Sequence, residues 1–367
     1  MLTRPTPTRI LHVLVATPGG GRGKGGIDRV MSTLRDELIR EGDPGLDVGF
    51  AASRGLGHVG LSPLYAAGFI LRMAALKAAG RLDLVHINLS VGASTYRKMA
   101  IASAARALRV PYVLHLHGSD YDTFWNSQRP FLRRRIRGLF EHAAQVIVLG
   151  QVWRDAVAKA APAAAGRIAI IPNATEAPKR AHIGDGKSVH ILFLGRLGER
   201  KGVPQLLEAL SRLSDVPGWR ATIAGDGEVE AMRSTVAKLG LQSRIAVPGW
   251  VDGEAVESLI STADVLALPS FAENLPVSVI EAMAAGLAVV ATPVGAVEDI
   301  IRDGETGLLV APGDVDALAS AIGRLVSDPE LRIRLGIAAR TVHRTRLSPK
   351  PFAHAIIESW KNAVAGR

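Results

Sequence analysis

The stretch Ser270-Phe271-Ala272-Glu273-Asn274-Leu275-Pro276-Val277-Ser278-Val279-Ile280-Glu281-Ala282-Met283-Ala284-Ala285-Gly286 decides how this chain is read. It follows the apolar run Ala263-Asp264-Val265-Leu266-Ala267-Leu268-Pro269, passes through a short polar turn and ends in an alanine-rich segment with helical character. A strand feeding a helix through a polar loop is where α/β proteins place ligands. Glu273 and Glu281 lie astride the helix start, about 12 Å apart if the rise is helical throughout. Two acids so placed suit the two ends of one elongated polyhydroxylated ligand. Glu273 is expected exposed at the helix mouth, and Glu281 two turns inside.

Working outward, the chain reads as repeated βα units. Strand signals fall at Leu11–Ala16, Asp83–Ile87, Tyr112–His117 and Gln145–Leu149 in the first half. In the second they fall at His190–Gly195, Arg220–Ala224, Ala246–Gly249, Val265–Leu268, Ala288–Ala291 and Gly307–Val310. Helical spacing fills the intervals, as in Val30–Glu41, Gln205–Leu213 and Val315–Leu325. Strands alternating with helices give parallel sheets covered on both faces, hence an α/β class with doubly wound sheets. The pattern restarts after the polar stretch Pro178–Ser188. This predicts a domain over 1–180 and a second over 181–349, facing each other across a cleft, with a last helix near 350–367 returning to the first.

The 367 residues suit two domains of ordinary size, and 48% apolar with 21% charged residues suits globular cores. Absence of cysteine excludes disulfides and thiolate metal sites, and a reducing cytoplasm is the simplest compartment. No stretch reaches the ~18 uncharged apolar residues of a membrane span. Leu61 to Gly80 comes nearest and is broken by Arg72 and Lys77.

Charge is uneven: residues 1–180 hold 25 Lys/Arg against 12 Asp/Glu, and residues 181–367 hold 19 against 22. The first half therefore faces an anionic surface or substrate. Its densest patch, Arg129, Arg133, Arg134, Arg135 and Arg137 interleaved with Phe131, Leu132, Ile136, Leu139 and Phe140, is a basic amphipathic helix. It suits anionic lipid headgroups, and it reads equally as a solvated arginine-rich face. No nucleic-acid motif or aromatic stacking platform accompanies it.

Other strand ends carry chemistry too. Gly195-Arg196-Leu197-Gly198-Glu199-Arg200-Lys201-Gly202 brings two cations to the start of a helix, which suits a diphosphate. Gly225-Asp226-Gly227 ends the next strand and can bracket a base or ribose, though it is also an ordinary turn. Pro18–Gly26 is a glycine-saturated loop holding a literal G-x-G-x-x-G at Gly21, Gly23 and Gly26. It is too long for the tight dinucleotide turn and lacks the Walker A spacing. Strand alternation puts His115 and His117 on one face, with His117 at the strand end and His115 an interior, satisfied residue. A metal at His115, His117 and Asp120 is the weaker reading. No G-x-S-x-G elbow supports a hydrolase.

With these residues in order, the chain resembles the family 4 retaining glycosyltransferases of the GT-B architecture. The resemblance rests on Glu273-x7-Glu281 followed by Ala284-Ala285-Gly286 and Val294-Gly295-Ala296, on Gly195-Arg196 with Lys201, on Gly225-Asp226-Gly227, on His117-Gly118 and on the Gly19–Gly21 loop. It implies a nucleotide-sugar donor held mainly by the second domain and an acceptor on the first. Arg196 and Lys201 would neutralise the donor diphosphate, Glu281 would bind the ribose, and Glu273 with Asn274 and Leu275 would hold the transferred sugar. Gly225, Asp226 and Gly227 would line the nucleotide, His117 would contact the sugar, and the amides around Gly20 and Gly21 would approach a phosphate or the acceptor. Transfer would keep the anomeric configuration with no metal and no other cofactor. At Ile171-Pro172-Asn173-Ala174-Thr175-Glu176 the usual hinge glycine is missing, so no site role carries over there.

The basic first half fits a lipid-diphosphate-linked saccharide acceptor in cell-surface or exopolysaccharide synthesis, with the protein peripheral at the inner face of the cytoplasmic membrane. The rivals are an epimerase or phosphorylase-like enzyme on the same fold, although no lysine is placed for pyridoxal phosphate, and a non-catalytic nucleotide-sugar-binding partner subunit.

Overall fold

The structure, a computed structural model, describes residues 10–20, 25–55, 58–179 and 188–366. Among these, twelve strands form two parallel six-stranded sheets. The first contains β1 (Leu11–Thr17), β2 (Leu46–Ala52), β3 (Leu84–Leu89), β4 (Tyr112–Leu116), β5 (Gln145–Val148) and β6 (Ile168–Ile170), in the order β2-β1-β3-β4-β5-β6. The second contains β7 (Val189–Leu194), β8 (Trp219–Ala224), β9 (Ile245–Gly249), β10 (Val265–Leu268), β11 (Ala288–Ala291) and β12 (Leu308–Leu309), in the order β12-β11-β10-β7-β8-β9. Helices fill the intervals, so both sheets are doubly wound.

Inner strands are apolar throughout because helices cover both faces: β3, β4, β7, β10 and β11 are buried along their whole length. Two strands escape the sequence reading, β2 and β6, and both are edges of the first sheet. β2 carries Asp47 and Gly49 and is only partly buried, and β6 has three residues. An edge strand is covered less, so it needs less apolar sequence and signals itself weakly.

The chain divides into one compact unit of residues 1–172 with 349–367 and a second of 173–348. The boundary thus falls before Asn173 and not near residue 180. The Asn173 amide donates to the Leu275 carbonyl at 3.0 Å, and the Thr175 backbone amide donates to the Leu347 carbonyl at 3.1 Å, which commits this segment to the second unit. Most of the expected linker, residues 180–187, lies outside the described residues.

The helix Pro329–Val342 runs into a π-turn at His343–Leu347 and ends at Ser348, where Pro349 opens the last helix, Pro349–Ala365. That helix packs on Gly26–Glu41 and on β3, β4 and β5, so it belongs to the first unit. Phe352, Ala353, Ile356, Ile357, Trp360 and Ala363 form its buried stripe. Drawn by these units, the charge asymmetry sharpens: 26 Lys/Arg against 12 Asp/Glu in the first, 18 against 22 in the second.

Candidate functional site

In the second sheet the winding reverses between β7 and β10, which are neighbours. Ligands of open α/β sheets bind outside the carboxyl ends of the strands at such a switch point. The loops leaving there are Gly195–Gly202 after β7 and Pro269–Pro276 after β10, with Gly225–Glu228 after the adjoining β8. The three segments singled out in the sequence therefore emerge side by side.

They are also joined. The Lys201 ammonium forms an ion pair with Glu273 Oε1, with side chains only 14% and 8% exposed. Ser270 Oγ donates to the same Oε1 at 2.8 Å, and the Ser270 carbonyl accepts from Thr292 Oγ1 at 2.5 Å. Glu273 is thus buried, not exposed at the helix mouth as expected, because a cation and a hydroxyl replace its water. The helix itself spans Val277–Ala285, four residues beyond Glu273, so the separation of the two acids is not helical throughout. Glu281 lies half-buried in its second turn. No side chain caps the helix start at Pro276, and Gly286 closes the other end in the left-handed conformation.

Two glycines fix the backbones of this end of the sheet. Gly225 has φ +153°, and a Cβ there would lie 1.7 Å from the Gly195 carbonyl oxygen. The two strand-end turns can therefore touch: the Leu197 amide donates to the Asp226 carbonyl at 2.6 Å and the Glu228 amide to the Leu197 carbonyl at 3.1 Å. Arg196, Asp226 and Gly227 are exposed beside one another. Gly295 has φ +62°, and a Cβ would lie 2.2 Å from the Glu273 carbonyl oxygen. The neighbouring Ala296 amide donates to the Asn274 carbonyl at 2.7 Å. The Val294-Gly295-Ala296 turn thus clamps the Glu273–Asn274 loop from one side, while Asn173 holds Leu275 from the other.

The first unit places its candidates at the carboxyl ends of β1 and β4. Gly20 sits in a turn with φ +70°, its amide donating to Thr17 Oγ1 at 2.8 Å. The Gly19 amide donates to both oxygens of buried Asp28, at 2.9 and 3.2 Å. These two amides face inward rather than toward a ligand. Gly21 lies outside the described residues.

His117 is partly buried, and its Nε2 lies 2.8 Å from Asn88 Oδ1. His115 is wholly buried, with Nδ1 3.3 Å from His86 Nε2 and no hydrogen-bond partner for Nε2 among the described residues. It is therefore only half satisfied, against expectation. Burial pushes His86 and His117 down to about 3, and burial with the neighbouring imidazoles holds His115 well below the ordinary value. Burial thus favours the neutral form of all three rings.

Against known proteins, the family model described as "Glycosyl transferases group 1" matches residues 175–342, and that of the "Glycosyl transferase 4-like domain" matches residues 7–174. A 2-deoxystreptamine N-acetyl-D-glucosaminyltransferase of Streptomyces fradiae is 30% identical over 305 residues, covering 77% of this chain and 72% of that protein. The chain belongs to the group 1 glycosyltransferases. An alpha-D-kanosaminyltransferase of Streptomyces kanamyceticus is 28% identical over 335 residues, covering 84% of each. Among solved structures, HepE of Anabaena in complex with UDP and glucose superposes with a TM-score of 0.73 at 19% identity, over 96% of this chain and 99% of that one. The fold is GT-B.

As a group 1 glycosyltransferase, the chain holds site-building residues that motif reading passed over: Ser270, Thr292 and Asn173 around Glu273, and Asn88, His86 and Trp360 behind His117. Apart from Ser270, three residues from Glu273, each acts through a contact distant in sequence. Only Asn173 had a partial signal, since it and Pro172 keep the family pattern in a segment whose hinge glycine is missing.

Among the described residues, no helix is long and apolar enough to cross a membrane. The basic helix spans Pro130–Glu141, burying Ile136, Leu139 and Phe140 and exposing Arg133, Arg134, Arg135 and Arg137. Arg135 lies over the exposed Phe131 ring at 4.8 Å.

Proposed function

We propose that this group 1 glycosyltransferase moves a sugar, with retention of configuration, from a nucleotide-sugar donor held by the second unit to an anionic, lipid-diphosphate-linked saccharide. The observation that carries the reading is the Lys201–Glu273 pair at the switch point of the second sheet, with Arg196 exposed in the same loop. An ammonium has three donors, so Lys201 can hold Glu273 and still meet diphosphate oxygens. Arg196 and the uncapped start of the helix Val277–Ala285 add positive potential for the same group. Lys201 and Ser270 both converge on Oε1 of Glu273, and Oε2 is the oxygen assigned to the hydroxyls of the transferred sugar. Glu281 takes the ribose hydroxyls, and Gly225, Asp226 and Gly227 line the nucleotide. The UDP complex of the HepE structure agrees with a nucleotide-sugar donor.

In the transfer the bond from the anomeric carbon to the diphosphate oxygen breaks, and the acceptor oxygen bonds to that carbon on the same face. The acceptor's proton passes to the departing diphosphate oxygen, whose charge Lys201 and Arg196 stabilise. With two cations in that role, the reaction proceeds without a divalent metal, and saturating chelator leaves the rate unchanged.

Charge bears on the acceptor. The relative directed at 2-deoxystreptamine takes an amine, by its name. A unit with 26 Lys/Arg against 12 Asp/Glu repels a protonated amine and attracts a diphosphate. The arginines of the helix Pro130–Glu141 hold the protein at an anionic bilayer on the cytoplasmic side, without a span.

The test is an acceptor-dependent glycoside from a panel of nucleotide sugars and lipid-diphosphate acceptors, with the new anomeric linkage read by NMR. An α-donor giving an α-glycoside is expected. An inverted linkage, or donor binding with no product from any acceptor, overturns the reading.

A further inference from the structure

Behind His117 runs a chain of polar groups that no charge holds together. Trp360 Nε1 donates to His86 Nδ1 at 2.9 Å, and His86 Nε2 lies 3.3 Å from His115 Nδ1. The His115 and His117 rings are in tilted contact, with centroids 4.0 Å apart and planes at 36°. His117 Nε2 lies 2.8 Å from Asn88 Oδ1, and Asn88 Nδ2 donates to the Ala16 carbonyl at 3.2 Å. Trp360, His86, His115 and Asn88 are each 1% exposed or less.

The chemistry of each group fixes the protons of the next. An indole nitrogen can only donate, so His86 Nδ1 accepts and its proton is on Nε2. That proton is given to His115 Nδ1, which puts the His115 proton on Nε2. At the other end Asn88 Nδ2 donates to the Ala16 carbonyl, which makes Oδ1 the atom facing His117, and His117 carries its proton on Nε2. The remaining nitrogen of His117, Nδ1, bears a lone pair.

We propose that Trp360 is a positioning residue for His117, holding through His86 and His115 a row of neutral rings in edge and tilted contact that presents Nδ1 of His117 to the substrate as a hydrogen-bond acceptor. The assignment rests on the reading of His117 as a sugar-contacting residue. It gives the last helix a role in the site: Trp360 orients a strand-end group from 274 residues away in sequence from its partner His86. It also sets what His117 recognises, a hydroxyl that donates to it.

The test reads ring nitrogens directly. In 15N long-range NMR of the whole protein at pH 7, His86, His115 and His117 are all expected as neutral Nε2–H tautomers. Trp360→Phe keeps an aromatic ring and removes the donor. It is expected to shift the His86 Nδ1 resonance toward that of a free lone pair, to move the His117 signals, and to lower donor turnover roughly tenfold with little change in donor KM. If Trp360→Phe does not fold, the wild-type spectrum still decides: an Nδ1–H or charged His86 or His117 overturns the proposal. So does a folded Trp360→Phe protein with unmoved His117 signals and unchanged turnover. A wild-type protein with the expected tautomers and no turnover with any donor refutes the transferase reading instead.

Discussion

The two units place their strand ends for chemistry by opposite means. In the second, a buried ion pair joins Lys201 to Glu273, with Ser270, Thr292 and two glycine turns fixing the loops that carry it. In the first, a row of neutral imidazoles in edge and tilted contact (the neutral stack) runs from Trp360 to His117. The charged latch suits a ligand that brings its own charge, since a diphosphate can share Lys201. The neutral stack suits hydroxyls, which need a fixed lone pair or proton rather than a field.

Breaking the latch should have the largest effect. Lys201→Ala is expected to lower donor turnover by about 10²-fold or more, as loss of a transition-state charge partner does. It should also cost about 3 kcal/mol of stability by stranding Glu273 as a buried unpaired carboxylate. Adding Glu273→Gln should restore most of the stability in urea unfolding and none of the turnover. A single variant as stable and active as wild type would remove the latch from the account.

Gly295→Ala comes next. Its Cβ would meet the Glu273 carbonyl at 2.2 Å, in a backbone conformation that alanine rarely adopts. A loss of about 2 to 3 kcal/mol and a weaker donor affinity are expected.

The neutral stack should show itself in acid. His86, His115 and His117 bind protons less readily in the folded chain than the ordinary histidine of the unfolded one. The folded values of His86 and His117 lie near 3 and that of His115 well below the ordinary one, against about 6.5 in the unfolded chain, so in between the unfolded chain holds more protons. Stability is then full above about pH 6.5 and falls as the pH drops below it, by on the order of 1 kcal/mol per pH unit for such a histidine. His115→Gln should flatten that slope in denaturant titrations at pH 7, 6 and 5. An unchanged slope would mean the stack is not neutral.

The smallest effect on the fold belongs to the exposed arginines. Replacing Arg133, Arg134 and Arg137 with alanine should change stability by no more than about 0.5 kcal/mol. Binding to anionic vesicles should weaken by about 1 kcal/mol per arginine and be salt-sensitive. Equal vesicle binding by the variant would assign the helix to solvent.

The residues of the latch were legible in the sequence, their pairing was not, and neither was the row of rings behind His117. Glu273, Glu281, Arg196 and Lys201 stand in short motifs beside strand ends, and apolar runs located ten of the twelve strands, so charge and periodicity reach them. That Glu273 is buried was not legible, because its cover comes from Lys201, 72 residues away. His86, Asn88 and Trp360 look like ordinary core residues, and only the return of the last helix across β3, β4 and β5 joins them. Edge strands β2 and β6 lacked the apolar run that a covered strand requires.

The most direct test of the central claim is the affinity of the folded protein for a nucleoside diphosphate, measured by titration calorimetry. Wild type should bind, and the Lys201→Ala, Glu273→Gln double variant, free of any stranded carboxylate, should bind at least roughly tenfold more weakly. The triple arginine variant should bind as wild type does. Equal affinity in wild type and the double variant would contradict the assignment of the donor diphosphate to Lys201.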